Sequence, residues 1–153
     1  MNLYTALLWI ALLASAGGGT RQTPIAQKLP EGNNAWVLDL VTSGGFDGMG
    51  IGTFSVNSTG TLTCSATRHK CPNKLSATAL NSVSEKVKAA TAVSWGLPTD
   101  RSLCSDCVTV RLQLGMRQPD GSIKTFIASW DAASFGVPEQ LHVLFNALTD
   151  FGK

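Results

Sequence analysis

The sequence predicts an α+β fold, a single two-layer domain in which two helices pack on one face of an antiparallel sheet of about five strands. Three observations predict it. Short segments rich in alternating or β-branched apolar residues occur both early and late in the chain. Two other segments have apolar residues at spacings of three and four, and turn sequences separate these elements. The predicted order is β-β-β-α-β-β-α.

The first three predicted strands form a meander. In the first strand, over residues 36–41, Trp36, Leu38 and Leu40 alternate with other residues and define one inward face. A glycine-rich break follows, and residues 50–56 are the second predicted strand. Residues 57–60 are a turn, and the β-branched residues of 61–67 predict the return strand.

A helix, a hairpin and a second helix complete the predicted domain. Residues 76–92 have the apolar spacing of an amphipathic helix, with Ser76 as the expected N-cap. Valine and leucine alternate with polar residues over 108–114, residues 123–130 are the partner strand, and Pro119-Asp120-Gly121 is the turn between them. Residues 138–151 predict the last helix, because Pro138 suits the first helical position and an apolar stripe follows it.

Composition bounds the domain count and the localisation. The chain has 153 residues, of which 44% are hydrophobic and 14% charged, as expected for one packed domain. An apolar stretch followed by Ala14-Ser15-Ala16 predicts a signal peptide over 1–16, and therefore a secreted or periplasmic protein. The alternative is an uncleaved membrane anchor. Residues 17–34 have the composition of a flexible leader, and 35–153 are the expected folded domain.

The charge pattern limits the classes of partner. The net charge is +2, and no run of lysine and arginine concentrates it. This argues against nucleic acid, or an anionic membrane after signal cleavage, as the partner. We expect a monomer without a cofactor.

Four cysteines, Cys64, Cys71, Cys104 and Cys107, predict two disulfides in an exported chain. Four cysteines allow three connectivities. We favour Cys64 with Cys71 and Cys104 with Cys107, because each pair is close in sequence. A four-thiolate zinc site is the alternative, although Cys64 and Cys71 are spaced more widely than in usual zinc sites and an oxidising compartment disfavours it. We therefore expect no metal.

The sequence has no motif that predicts catalysis. Its two histidines, His69 and His142, occur outside any His-Glu-x-x-His motif, and no Gly-x-Ser-x-Gly motif is present. A lone histidine beside apolar neighbours is more typical of a packing or surface residue than of a catalytic base. The segment from Cys104 to Cys107 precedes a strand and not a helix, which favours a structural disulfide over a redox pair. We expect a protein that is not an enzyme.

The segment Ser43-Gly44-Gly45-Phe46-Asp47-Gly48, directly after the first predicted strand, resembles the Gly-Gly-Phe-x-Gly signature of the emfourin family. The members of this family are small bacterial protein inhibitors of thermolysin-like metalloproteases. The resemblance extends over residues 36–148, whereas the signal, the leader and the cysteines are departures from the family pattern. Its further matches are Gly60-Thr61-Leu62, the helix from Ser76, Asp106 before the fourth strand, Asp131 after the fifth, and Val137-Pro138 before the last helix.

The resemblance implies a secreted inhibitor of a thermolysin-like metalloprotease that acts by binding, without catalysis. The residues expected to contact the protease are Gly44, Gly45, Phe46, Asp47 and Gly48. Phe46 is the candidate apolar anchor, and the alternative is that it is a core residue, because a phenylalanine between glycines after a strand is often buried. The alternative for the whole chain is a secreted structural or ligand-binding module, since a fold alone does not fix a function. Exposure of the 44–48 loop would separate the two hypotheses.

Overall fold

A computed structural model of the chain describes residues 27–45, 51–65, 70–97 and 106–152. The predicted signal peptide over 1–16, and residues 17–26 of the predicted leader, lie outside these ranges. The elements in chain order are β1 (Trp36–Gly44), β2 (Thr53–Asn57), β3 (Leu62–Ser65), α1 (Ala77–Ala90), β4 (Val108–Arg117), β5 (Ile123–Asp131) and α2 (Glu139–Thr149), followed by a short 3-10 turn (Asp150–Gly152).

The strands form one antiparallel sheet of five strands in the order β3-β2-β1-β4-β5. The first strand lies at the centre and pairs with β2 on one side and with β4 on the other. The predicted α+β fold, with one antiparallel sheet and two helices, is confirmed. Both β1 and β4 are longer than predicted, because they pair with each other from Trp36 opposite Met116 to Gly44 opposite Val108.

One face of the sheet, which we call the helix face, carries the apolar core. Alternate residues of the strands form one buried cluster with the inward sides of both helices. Burial of each large apolar side chain in such a cluster stabilises the fold by roughly 1.5–3 kcal/mol. The almost fully buried members are Leu38, Leu40, Phe54, Val56, Val110, Leu112, Leu114 and Ala128 of the strands, and Val83, Val87, Ala90, Leu141, Leu144 and Leu148 of the helices.

The ends of α1 are satisfied by side chains. Ser76 is the N-cap, as predicted, and its Oγ accepts a hydrogen bond from the backbone N of Ala79 at 3.2 Å. At the other end, Trp95 Nε1 donates to the carbonyl oxygen of Ala90 at 2.9 Å. This bond places the buried Trp95 ring against the core and ends the helix before the predicted residue 92.

The opposite side of the sheet, which we call the polar face, is built from the remaining alternate residues. Asp39 of β1 lies between Ser55 of β2 and Gln113 of β4. Asp39 is only 6% exposed, and its β2 neighbours Thr53, Ser55 and Asn57 are also buried. The centre of this face is therefore polar and shielded from water, which the alternation along β1 did not predict.

Gln27, from the region predicted as leader, contacts the polar face. Its Nε2 donates to the backbone oxygen of Ser55 at 2.9 Å and to Thr63 Oγ1 at 2.8 Å. The side chain thus connects β2 and β3 from outside the sheet.

The hairpin between β4 and β5 has the predicted turn. Gly121 has a φ of 83°, a value that favours glycine. The carboxyl of Asp120 accepts hydrogen bonds from the N and Oγ of Ser122 at 2.9 and 2.6 Å, and these bonds lower its pKa. Within the four described ranges, neither helix has the length and apolar content needed to cross a membrane.

Candidate binding surface at the loop end of the sheet

One end of the sheet brings together segments that are distant in sequence. Gly44, at the end of β1, lies opposite Val108, at the start of β4. The backbone N of Ala132, directly after β5, donates to the carbonyl oxygen of Val108 at 2.8 Å. We call this end, formed by residues 42–45, 51–53, 106–109 and 131–137, the loop end.

The first two predicted contact residues, Gly44 and Gly45, lie at the loop end and are half-buried. Their φ angles are 86° and 78°. A Cβ added at Gly44 would lie 2.5 Å from the carbonyl oxygen of Cys107, so the two backbones can approach this closely only with glycine at position 44. The other predicted contact residues, Phe46, Asp47 and Gly48, lie outside the described residues. The two interpretations of Phe46, anchor or core residue, stay predictions.

Thr42 fixes the base of this loop. Its Oγ1 donates to the carbonyl oxygen of Gly52 at 2.8 Å and accepts from the backbone N of Ile51 at 2.7 Å and of Gly52 at 2.8 Å. A hydroxyl has one proton to donate and two lone pairs, so the hydrogen-bonding capacity of this side chain is fully used. These three hydrogen bonds, which we call the Thr42 clasp, hold Ile51 at the surface, where it is 41% exposed.

Phe135 has the greatest exposure of the large apolar side chains in the described part of the chain, at 98%. It lies in the loop between β5 and α2. Two hydrogen bonds hold the start of this loop: Ser134 N donates to Asp131 O at 2.7 Å, and Thr109 Oγ1 donates to Asp131 Oδ1 at 2.9 Å. Gly136, with a φ of 82°, provides the reversal that follows. The exposed ring therefore lies on a loop tied to the sheet.

Neither Phe135 nor Ile51 is among the contact residues predicted from the sequence. Phe46 is selected by the resemblance of residues 43–48 to the emfourin signature, which Ser134-Phe135-Gly136 does not share. The local signal at Phe135 is a phenylalanine next to a glycine between two predicted elements. Ile51 has no such signal, since its exposure depends on the Thr42 clasp.

A disulfide connects Cys64 and Cys71, with an S–S distance of 2.12 Å and Cα atoms 6.1 Å apart, which confirms the first predicted pairing. It links β3 to the segment before α1, and both cysteines pack against the core on the helix face. Cys107 is disulfide-bonded as well. Cys104 lies outside the described residues, so its predicted pairing with Cys107 stays a prediction.

His142 is a packing residue of α2. Its ring is half-buried and lies edge-on to the ring of Trp130, with 5.9 Å between the centroids. His69 lies outside the described residues. In the ranges that the structure describes, no group of three or more His, Cys, Asp or Glu side chains is placed to hold a metal ion.

A groove of about 450 Å³ lies between the outward sides of the two helices. Residues of both helices line it, among them Ser82, Glu85, Lys86 and Glu139, and none of these is buried. The groove is therefore a surface feature of the helix layer and does not reach the core between the sheet and the helices.

No protein-family model, curated protein or solved structure matches this chain.

Proposed function

We propose that this protein is a secreted inhibitor that binds a protein target through the loop end, without catalysis, and that the target is a thermolysin-like metalloprotease. The observation that carries the binding function is the exposure of Phe135 on a loop tied to the sheet, at the same end as Ile51 and the glycine loop. The choice of a metalloprotease rests on the resemblance of residues 43–48 to the emfourin signature.

The geometry of the loop end suits a binding surface in two respects. Aromatic side chains that enter a partner's pocket often supply most of the binding free energy of an interface. A loop that is already held by hydrogen bonds, such as the one that carries Phe135, loses little conformational entropy when it binds. Exposure of so large an apolar ring does nothing to stabilise the isolated domain, which favours a role in binding.

Export is supported by the Cys64–Cys71 disulfide. Such bonds persist in oxidising compartments and are rare in reducing ones. The disulfide is compatible with the signal peptide proposed for residues 1–16 and with a secreted or periplasmic localisation.

The alternative of a ligand-binding module is less well supported. A small ligand carried between the sheet and the helices would need a cleft that reaches the core. The groove between α1 and α2 is lined by residues that are exposed or half-buried and opens on the outer side of the helices.

A protease assay tests the proposal. Purified mature protein is titrated into a thermolysin-type metalloprotease, and hydrolysis of a peptide substrate is followed. We expect inhibition that F135A weakens at least about 30-fold, as for a side chain at the energetic centre of an interface. The matched control is I123A, which shortens another exposed apolar side chain, in β5 beside the hairpin turn. This control should inhibit as the wild type does.

The outcomes separate the two parts of the proposal. Full protease activity at micromolar protein would refute the metalloprotease as target. If F135A and I123A affect inhibition equally, the protein is still an inhibitor, but its contact surface is not the loop end.

A further inference from the structure

We propose that the outer edge of β5 pairs with the same edge of a second copy of this chain, antiparallel, so that two sheets join into one. The proposal concerns assembly, and it departs from the monomer expected from the sequence. It does not depend on protease inhibition.

The two edges of the sheet are protected very differently. At β3, the chain folds back over the edge: Thr61 forms a bridge with Lys74, and Leu62 N donates to Asn73 O at 3.0 Å. At the other edge, β5 extends over nine residues in continuous register with β4. It contains no proline or bulge, which are common devices that prevent an exposed edge from pairing with another strand.

The outward backbone groups of β5 follow from its ladder with β4. Ala132 N donates to Val108 O, and Gln118 N donates to Ser122 O, so the even-numbered residues direct their backbone groups towards β4. The odd-numbered residues direct theirs outward. Between residues 123 and 129 these outward N–H and C=O groups have no hydrogen bond among the residues that the structure describes. A row of free donors and acceptors, two residues apart, is what an added strand requires.

The side chains on this edge favour pairing. Ile123 and Ile127 are 57% and 48% exposed, and both lie on the polar face of β5. β5 has two charged residues, Asp131 at its end and Lys124 within it. The Nζ of Lys124 lies 4.8 Å from the centroid of the Phe126 ring, so the Lys124 ammonium is engaged along its own strand.

A second copy fits this edge because the strand is self-complementary about Ile127. In an antiparallel pair centred there, Ile127 lies opposite Ile127 of the second copy, and Thr125 lies opposite Ser129. Outward-facing residues thus meet each other, and the polar faces of the two sheets are continuous. Ile123 comes opposite Asp131 of the second copy.

Charge also favours this register. Arg117 is the β4 neighbour of Ile123, so the joined sheet places Arg117 and Asp131 of the second copy in one row with opposite charges. The Nε of Arg117 is buried and has no hydrogen-bond partner in the described part of the chain. Since the β3 edge of each copy is covered, the pairing closes as a two-fold dimer and does not extend into a fibre.

Amide hydrogen exchange, resolved by residue and measured over a range of protein concentrations, tests the proposal. The outward amides of Thr125, Ile127 and Ser129 should exchange at least about tenfold more slowly at millimolar than at low micromolar concentration, as expected for amides that enter a ladder. The inward amides of Phe126 and Ala128 serve as the internal control, because they are protected at all concentrations. Outward rates that are independent of concentration, with a monomer in sedimentation up to millimolar protein, would overturn the proposal.

Variants test the register. T125P removes one outward N–H and leaves the ladder with β4 intact, and proline is tolerated on that side of an edge strand. The dimer dissociation constant should rise about 30-fold, because each dimer loses two hydrogen bonds. T125V, which keeps the N–H, should dimerise as the wild type does.

A second substitution covers the case in which T125P does not fold. I127K places like charges directly opposite each other at the two-fold axis and should abolish the dimer. I51K, the same change at an exposed isoleucine of the loop end, should not affect it. Wild-type dimerisation by I127K would refute the register. Because no protease is present, none of these outcomes bears on inhibition.

Discussion

At the centre of the sheet, in β1 and β2, the two faces are buried to nearly the same extent but by different chemistry. On the helix face, Leu38 and Leu40 are completely inaccessible, and on the polar face Asp39 and Ser55 are almost so. Apolar burial stabilises in proportion to the area removed from water. A buried hydrogen bond adds only about 1 kcal/mol net, because the unfolded chain bonds to water instead. Equal burial therefore does not mean equal stabilisation.

Shortening a side chain should also reduce the stability of the fold for a different physical reason on each face. On the helix face, a shortened side chain leaves a cavity, and the loss in free energy of unfolding grows with the volume of the cavity that remains after the neighbours relax. On the polar face, removal of a hydroxyl leaves its hydrogen-bond partner buried and unpaired. The loss in free energy of unfolding is then the cost of burying that unpaired polar group. Substitutions matched between the faces can measure this difference.

The largest effect is expected on the helix face, from L112A. Leu112 is fully buried, between Leu40 of β1 and Ala128 of β5. The free energy of unfolding should fall by about 2–5 kcal/mol, as measured by chemical denaturation with an unchanged slope. I123A, which shortens an exposed side chain on the other face, should change it by less than about 1 kcal/mol. A loss below about 1 kcal/mol for L112A would contradict a close-packed helix face.

On the polar face, we expect a smaller loss from S55A. Ser55 Oγ donates to Asp39 Oδ1, and the substitution leaves that carboxyl buried without this donor. The free energy of unfolding should fall by about 1–3 kcal/mol at pH 7. S129A, at an exposed serine on the same face, is the control and should have almost no effect. An equal change in the free energy of unfolding for S55A and S129A would mean that the hydrogen bond to Asp39 contributes nothing to stability.

The polar face should also respond to pH through Asp39. Burial raises the pKa of this carboxyl, and the hydrogen bond from Ser55 opposes that rise only in part. A carboxyl with a higher pKa in the folded state takes up its proton more readily when folded, so acidification stabilises the native state through this group. That gain begins as pH falls through the folded-state pKa and is complete below the unfolded-state pKa.

The test for Asp39 is the difference in unfolding free energy between the wild type and D39N, measured from pH 7 to pH 4. This difference should shift in favour of the wild type as pH falls, and S55A should enlarge the shift because it removes the interaction that lowers the pKa. Gln113, which lies opposite Asp39 in β4, has no ionisable group. A difference that is constant with pH would mean that Asp39 is hydrated in the folded protein.

The helix face could be predicted from sequence, whereas the polar face could not. Period-two spacing marks inward positions of β1 and β4, helical apolar spacing marks those of both helices, and the cap at Ser76 and the turn at Asp120 have local signatures that the structure confirms. Burial of Asp39 depends on which residues lie beside it in β2 and β4. Those contacts are set by the order of the strands in the sheet, which the alternation of apolar and polar residues within one strand does not predict. Exposure of Phe135 likewise depends on a loop that follows β5 and is anchored to β4.

The smallest effect on stability is expected from F135A. The ring lies outside both buried faces and is almost fully exposed, so its removal creates no cavity and exposes no polar group. The free energy of unfolding should change by less than about 0.5 kcal/mol, as measured by the same denaturation series. A loss above about 1 kcal/mol would show that the ring packs against the domain. If F135A leaves the stability unchanged and weakens inhibition, Phe135 acts in binding alone. The loop end would then be separate in function from the two faces that stabilise the fold.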